Sequence, residues 1–296
     1  MMLLSVPLDI ILFLQGLRSG FTDFFFNAVS FFGEEYFYIA LLGSVYWGIN
    51  KKFGEYLGVT LGFSITLNNV LKGIFNMPRP FQEYPNQVEN LRDYSATGSA
   101  FPSGHVQGSS SLFFAIYLFL KRRWLLVLAI TMTILMMLSR MYLGVHYIQD
   151  VIIGGIIGFL IAWVNMIFFK KYSDNQEKLH RYYSILVLVF LPGLFFLEIN
   201  DFFKGYGILV GVILGIILEK THINFTLDQP LFKKVIRVVL GIAVMGLTLT
   251  VLKPFFGLTG LEEGTWGSNM LDFFRYFLVA FVGIGLYPMV FKRFNF

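Results

Sequence analysis

Apolar stretches long enough to cross a bilayer recur along the chain, separated by short polar punctuation. A spanning helix needs about 20 mostly apolar residues. Nine segments fit, at roughly 33–50, 54–74, 103–120, 124–142, 147–169, 182–199, 205–219, 235–252 and 271–290. The third opens Ser103-Gly104-His105 and runs on into serines, which makes it the weakest by hydropathy, and the seventh is short. The pattern therefore predicts an all-α, polytopic transmembrane bundle of about nine spans. Ahead of it, 10–17 is too short to span, and 21–32 carries Asp23 and Asn27. These segments predict short interfacial helices over residues 1–32. No basic region with a small-residue cleavage site precedes them, so a secretory signal is not expected. Residues 76–100 hold Pro78, Pro80, Pro85 and Gly98 among Glu83, Glu89, Arg92 and Asp93, which reads as a loop able to cover or shape a site. Gly207, Gly211 and Gly215 recur every four residues, a spacing suited to close helix packing.

Composition agrees with the pattern. Of 296 residues, 56% are hydrophobic and 14% charged, and 35 are Phe, against about 45–50% and 25% in soluble domains. That balance excludes a disordered chain, a nucleic-acid-binding arm and a water-soluble globular enzyme. The absence of cysteine excludes disulfides, thiolate chemistry and Cys-ligated zinc. The net charge of +5 is explained by where the cations lie. Lys51, Lys52, Lys121, Arg122, Arg123, Lys170, Lys171, Lys178, Arg181, Lys220, Lys233, Lys234, Arg237, Lys292 and Arg293 all follow odd-numbered segments. With nine spans they share one side, which the positive-inside rule makes cytoplasmic. The expected layout has the N-terminus outside, the C-terminus in the cytoplasm, and the lipid bilayer rather than nucleic acid as the partner of the basic residues. No oligomeric state is specified.

Ionisable groups near a bilayer are costly unless paired, hydrated or functional. Three clusters fall at the outer ends of the segments: Lys72 with Arg79-Pro80; Pro102-Ser103-Gly104-His105; and Ser139-Arg140 with His146 and Asp150. Each member alone reads as a helix cap or topology anchor; their joint placement specifies more. If the chain is helical from Val145, His146 and Asp150 share a face. The carboxylate then fixes one imidazole nitrogen and frees the other to attack or to act as a base. His105 sits near a helix start whose open N–H groups favour an anion, with Ser103 as a cap and Gly104 permitting close approach. Lys72, Arg79 and Arg140 add cations suited to phosphate. No carboxylate cluster resembles a magnesium or zinc site. Phosphoryl transfer without a metal fits these residues, with His146 attacking phosphorus and His105 as acid and base. The residues by themselves leave the order of the two histidines open.

The three clusters match, in residue type and spacing, the signature K-x6-R-P, P-S-G-H and S-R-x5-H-x3-D. In this respect the sequence resembles the type 2 phosphatidic acid phosphatases, whose membrane branch includes lipid phosphatases and glucose-6-phosphatase. The resemblance implies that Lys72, Arg79, Ser103, Gly104 and Arg140 bind phosphate. It further implies that His146 is the nucleophile, oriented by Asp150, that His105 is the acid/base, and that no cofactor or metal is needed. It covers roughly 55–160 and implies a phosphorylated lipid substrate, a lipid phosphate or polyprenyl diphosphate, which the charge-derived topology places at the outer face of a cytoplasmic membrane. A lipid phosphotransferase, a sugar-phosphate phosphatase and a lipid transporter retaining the pocket are the alternatives. Nine spans with an external N-terminus are similar to the glucose-6-phosphatase layout. The expected organisation is interfacial helices at 1–32, a catalytic transmembrane core at 33–170 and additional transmembrane helices at 171–296, to which no motif assigns a role.

Overall fold

The computed structural model describes residues 8–92, 96 and 98–294. Expectations for 1–7, for Asp93 within the polar loop and for 295–296 lie outside the described residues. All regular structure among the described residues is helical, and it divides into two compact units.

The first unit combines the segment up to Tyr38 with Val70–Val164. Its N-terminal part forms two short helices, α1 (Asp9–Gly16) and α2 (Gly20–Phe31). Ser19 caps α2, accepting from the Thr22 backbone while the Thr22 hydroxyl accepts from the Ser19 N–H. Ile11 of α1 is buried in a core with Val88, Val106, Met136, Met141 and Val151, whereas Phe13, Phe21, Phe24 and Phe31 are exposed. After α3 (Glu35–Ser44) and α4 (Lys51–Phe75) come the short α5 (Pro80–Glu83), α6 (Gly104–Leu120), α7 (Arg123–Tyr142) and α8 (Ile148–Tyr172).

The serine run that weakens the third apolar segment faces glycines of α8. The Ser110 hydroxyl donates to the Gly155 carbonyl at 2.8 Å and Ser111 to Gly158 at 3.1 Å. A Cβ at Gly158 would stand 2.3 Å from the Gln107 carbonyl oxygen, and one at Gly154 2.8 Å from that of Ser103. Small residues thus bring the two backbones close enough for hydroxyl-to-carbonyl bonds. This contact also seats the start of α6 beside the start of α8.

The second unit comprises Ile39–Asn69 and Asn165–Phe296. It adds α9 (Gln176–Phe190), α10 (Gly193–Phe196), α11 (Asn200–Leu218), α12 (Leu231–Gly257), α13 (Trp266–Phe281) and α14 (Pro288–Arg293). Gly207 and Gly211 meet the Phe273 and Phe277 carbonyls of α13, where added Cβ atoms would stand at 2.4 Å, so the four-residue glycine spacing is a packing seam. Two buried carboxylates of this unit are paired with lysines. Lys220 binds Glu55 at 2.6 Å and Lys51 binds Glu219 at 2.7 Å, with the Tyr183 and Tyr46 hydroxyls donating to the same two carboxylates.

Among the described residues, six helices are long and apolar enough to cross a membrane: α7, α8, Gln176–Phe196, Asn200–Ile223, α12 and Trp266–Arg293. The chain is a multi-pass membrane protein. The other three of the nine expected segments are helical but differ in length or polarity. The segment at 33–50 becomes α3 followed by a five-residue π-helical turn, Val45–Ile49, and α6 has 17 residues. The α4 helix is 25 residues long, yet it buries Glu55, Thr60, Ser64, Thr66, Asn68 and Asn69. These groups are matched within the unit: Glu55 by Lys220, Thr60 by Asn165, Thr66 by the Gly205 carbonyl and Asn69 by the Asp201 carbonyl.

The glycine seam of α8 yields a paired test. Gly158→Ala should lower stability by about 1–3 kcal/mol through overpacking. Gly246→Ala on α12, where nothing lies within 4 Å of the added methyl, should be neutral or slightly stabilising. Thermal unfolding of the two variants in detergent measures this, and equal melting temperatures would remove the packing role of Gly158.

Candidate active site

The first motif joins the end of α4 to the start of α5. Lys72 lies in the last turn of α4, and Asn76, with φ of 40°, takes the left-handed conformation beyond it. Arg79 occupies the position ahead of Pro80, which opens α5. Its side chain is 1% exposed. Arg79 Nε donates to the Gly98 carbonyl at 3.0 Å, and Nη1 donates to the Val145 carbonyl at 3.1 Å. The same Nη1 lies 3.3 Å from His146 Nε2. The polar loop at 76–100 is therefore bound to the site through its own Gly98.

The second motif opens α6, with Ser103 as the capping residue and Gly104 as the first helical one. The Ser103 backbone N–H donates to the Asp150 carbonyl at 3.0 Å. Its Oγ is buried and has no hydrogen-bond partner among the described residues. A buried hydroxyl beside the open N–H groups of a helix start is completed well by an oxyanion.

The third motif spans the end of α7 and the start of α8. Arg140 is fully buried in the last turn of α7, and its Nη1 donates to the Ser30 hydroxyl at 2.6 Å. The neighbouring Ser139 hydroxyl donates to the Phe26 carbonyl at 2.8 Å, not to its own preceding turn. The condition of helix from Val145 is not met: α8 starts at Ile148, close to the expected segment start at 147, and leaves His146 in the connection. Asp150 reaches it nonetheless: Oδ2 accepts from the Tyr147 N–H at 2.9 Å and sits 3.5 Å from His146 Nδ1. The carboxylate caps the helix start and faces the ring at once, which a continuous helix would not require.

These contacts define the His146 tautomer. A guanidinium only donates and a carboxylate only accepts. Nδ1 therefore carries the hydrogen toward Asp150, and Nε2 presents its lone pair beside Arg79. Burial, reinforced by Arg79, Arg140, Lys72 and His105, pushes the His146 pKa well below its ordinary value, so the ring is neutral at physiological pH. Those four residues are thus gathered around His146. Ser103 and Asp150 are joined directly, and Gly104 adjoins Ser103. All eight residues singled out from the sequence fall in the first unit.

Four further residues were not legible as site residues. Glu34, in the turn between α2 and α3, lies 3.3 Å from His105 Nε2. It binds Arg92 at 2.6 Å, Arg92 binds Asn27, and Ser30 holds Arg140. The available signal was a carboxylate at the head of an apolar segment. No local spacing connects it to His105. Among the described residues, no three His, Asp or Glu side chains gather as metal ligands.

An all-helical multi-pass membrane protein with an imidazole–carboxylate pair in a nest of cations is a restricted class. Comparison with known proteins agrees. Residues 54–174 match the PAP2 superfamily, and 203–296 match the transmembrane extension of PAP2 superfamily phosphatases. The chain belongs to the PAP2 superfamily. It is 31% identical over 163 residues to a probable sphingosine-1-phosphate phosphatase of Dictyostelium discoideum, covering 50% of this chain and 39% of the relative. It is 25% identical over 172 residues to the lipid A 4'-phosphatase of Bacteroides thetaiotaomicron, covering 54% and 75% respectively. A bacitracin transport permease protein of Bacillus licheniformis, BcrC, is 34% identical over 144 residues, or 46% of this chain and 68% of the relative. The chain thus spans well under half the length of the first of these relatives. No solved structure matches it.

The cation nest should bind a free oxyanion. Orthovanadate titrated into the purified protein should saturate, and Arg140→Ala should weaken binding at least about tenfold, the worth of one charge-assisted hydrogen bond. Equal affinity in the folded variant would separate Arg140 from the anion site.

Proposed function

We propose that the protein is a metal-independent phosphatase that hydrolyses a lipid phosphate or polyprenyl diphosphate through a phosphohistidine, at the outer face of a cytoplasmic membrane. The observation that carries this reading is the orientation of His146, a neutral imidazole backed by Asp150 with its Nε2 lone pair toward Arg79. Substrate phosphate would take its charge balance from Lys72, Arg79 and Arg140, with Ser103 and the N–H of Gly104 completing the oxyanion contacts. As Nε2 attacks, the P–N bond forms and the P–O bond to the leaving group breaks, and His105 gives that oxygen its proton. Now neutral, His105 takes a proton from water as the water oxygen attacks phosphorus. The P–N bond breaks, its electron pair returns to Nε2, and phosphate leaves.

Lipid substrates are supported by the names of two relatives, which specify sphingosine-1-phosphate and lipid A, and by the exposed phenylalanines of α2 in the same unit. The chain is organised in this reading as interfacial helices (1–32), catalytic core (33–170) and additional spans (171–296). It crosses the membrane nine times, with the N-terminus outside and the C-terminus inside, as the distribution of Lys and Arg favours.

Purified protein should release phosphate from phosphatidic acid or undecaprenyl diphosphate with EDTA present. His146→Ala should lose on the order of 10⁴-fold or more in turnover. Asp150→Asn should lose less, about 10²-fold, if its part is orientation. No release from any phosphorylated lipid, or full activity in folded His146→Ala, ends this reading. Recovery of a phosphorylated alcohol acceptor by mass spectrometry would make it a transferase.

The electrostatics add a pH test. Neutral His146 is the reactive form, so activity falls as pH drops through its lowered pKa. Removing a cation with Lys72→Met raises that pKa toward the ordinary value of about 6.5. The acidic limb of kcat/KM should therefore move to higher pH, and an unmoved limb would separate Lys72 from His146.

A further inference from the structure

One carboxylate reaches the site from outside all three motifs. Glu34 Oε1 accepts from Arg92 Nη2 at 2.6 Å and lies 3.3 Å from His105 Nε2. Arg92 is 4% exposed, and its Nη1 donates to the carbonyl and side-chain oxygen of Asn27 at 3.2 and 3.1 Å. The carboxylate is thereby tied to α2 and to the loop at 76–100 together. The residue before it belongs to the same arrangement. A Cβ on Gly33 would stand 2.8 Å from His105 Cδ2 and 3.1 Å from His105 Cβ. The imidazole packs against the bare backbone of Gly33 while Glu34 holds its edge.

Because a carboxylate only accepts, the Nε2 facing Glu34 carries a hydrogen. With Nε2–H held in both protonation states, the neutral ring carries its lone pair on Nδ1 and is the base, and the ring protonated on Nδ1 is the acid. On the reading of His105 as acid and base given above, we propose that Glu34 is a positioning residue. It holds His105 by Nε2–H and so makes Nδ1 the nitrogen that gives and takes the proton. The two histidines are then mounted in opposite senses. His146 turns Nδ1 toward Asp150 at 3.5 Å and Nε2 toward phosphorus, whereas Glu34 holds His105 by Nε2 and frees Nδ1 for oxygen. The charged and titratable groups acting on His105 come from four places: Glu34 in the α2–α3 turn, Arg92 in the loop, Arg140 on α7, and His146 in the α7–α8 connection. Arg92 shares Oε1 with His105, so it tempers the pull of the carboxylate on the imidazole proton. His105 can therefore release its proton as well as hold it.

The full-length protein in detergent is assayed with phosphatidic acid, whose alcohol needs a proton to leave, and with p-nitrophenyl phosphate, whose phenolate does not. Glu34→Gln should lower kcat on phosphatidic acid about 10²-fold with little change in KM. On p-nitrophenyl phosphate the first turnover should stay fast while steady-state turnover slows, so that phosphohistidine accumulates. Glu34→Asp should recover part of kcat, and Gly33→Ala should reproduce the kcat loss by displacing the ring. Unchanged kcat in Glu34→Gln, or equal losses of first-turnover rate on both substrates without rescue by Asp, overturns the proposal. The ¹⁵N shifts of the His105 ring in the wild-type protein decide the same point without any variant: an Nε2–H tautomer supports it and an Nδ1–H tautomer overturns it. Failure of the wild-type protein to release lipid phosphate, or activity retained by His146→Ala, would strike the underlying reading and not Glu34.

Discussion

Cations buried beside imidazoles are the constraint to which the first unit answers. Arg79 and Arg140 are 1% and 0% exposed, and a buried charge costs several kcal/mol unless it is well matched. The nearby carboxylates, Asp150 and Glu34, are engaged with the histidines, so much of the guanidinium bonding goes to carbonyls and a hydroxyl: Gly98, Val145 and Ser30. Among the named residues, Lys72, Arg79, Arg92 and Arg140 outnumber Glu34 and Asp150. The remaining positive field suits a dianion and, together with burial, the larger cause, keeps the His146 pKa well below its ordinary value.

Holding that charge in place takes a rigid frame, and the frame is built from groups that look misplaced in an apolar helix. Ser110 and Ser111 of α6 bond to carbonyls of α8, and glycines at 154 and 158 let the helices approach closely enough for this. The bond from the Ser103 N–H to the Asp150 carbonyl continues the same seam up to the two helix starts. Polarity that lowers the hydropathy of the segment is thus what positions the start of α6 against the start of α8. The second unit follows a similar logic with different parts: a glycine seam between α11 and α13, and ion pairs that satisfy Glu55 and Glu219 where π-helical geometry, Glu219–Ile223, interrupts α11.

The α2 helix couples these demands to the surface of the first unit. One face supplies Phe26, Asn27 and Ser30 to Ser139, Arg92 and Arg140, and Asp23 bonds the Tyr142 hydroxyl. The other exposes Phe21, Phe24 and Phe31. An amphipathic helix of this kind places apolar side chains where lipid would meet them and polar ones where the buried cations need partners. In the proposed function, that couples membrane contact to the alignment of Arg140.

The helices and the chemical inventory were legible in the chain because both are written in local spacing: apolar runs of bilayer length, glycines every four residues, and Lys, Arg, Ser, His and Asp at motif intervals. Where the expectation missed, the cause was non-local or competing local bonding. Asp150 caps the Tyr147 N–H, so the helical turn from Val145 that would set His146 and Asp150 on one face is not formed. What only the tertiary structure decided is which nitrogen of each histidine is held. His146 is turned by Arg79, 67 positions away, and His105 by Glu34, 71 positions away. No periodicity reports a contact across such separations, because it exists only after helices from distant parts of the chain have packed and excluded water from the charges between them.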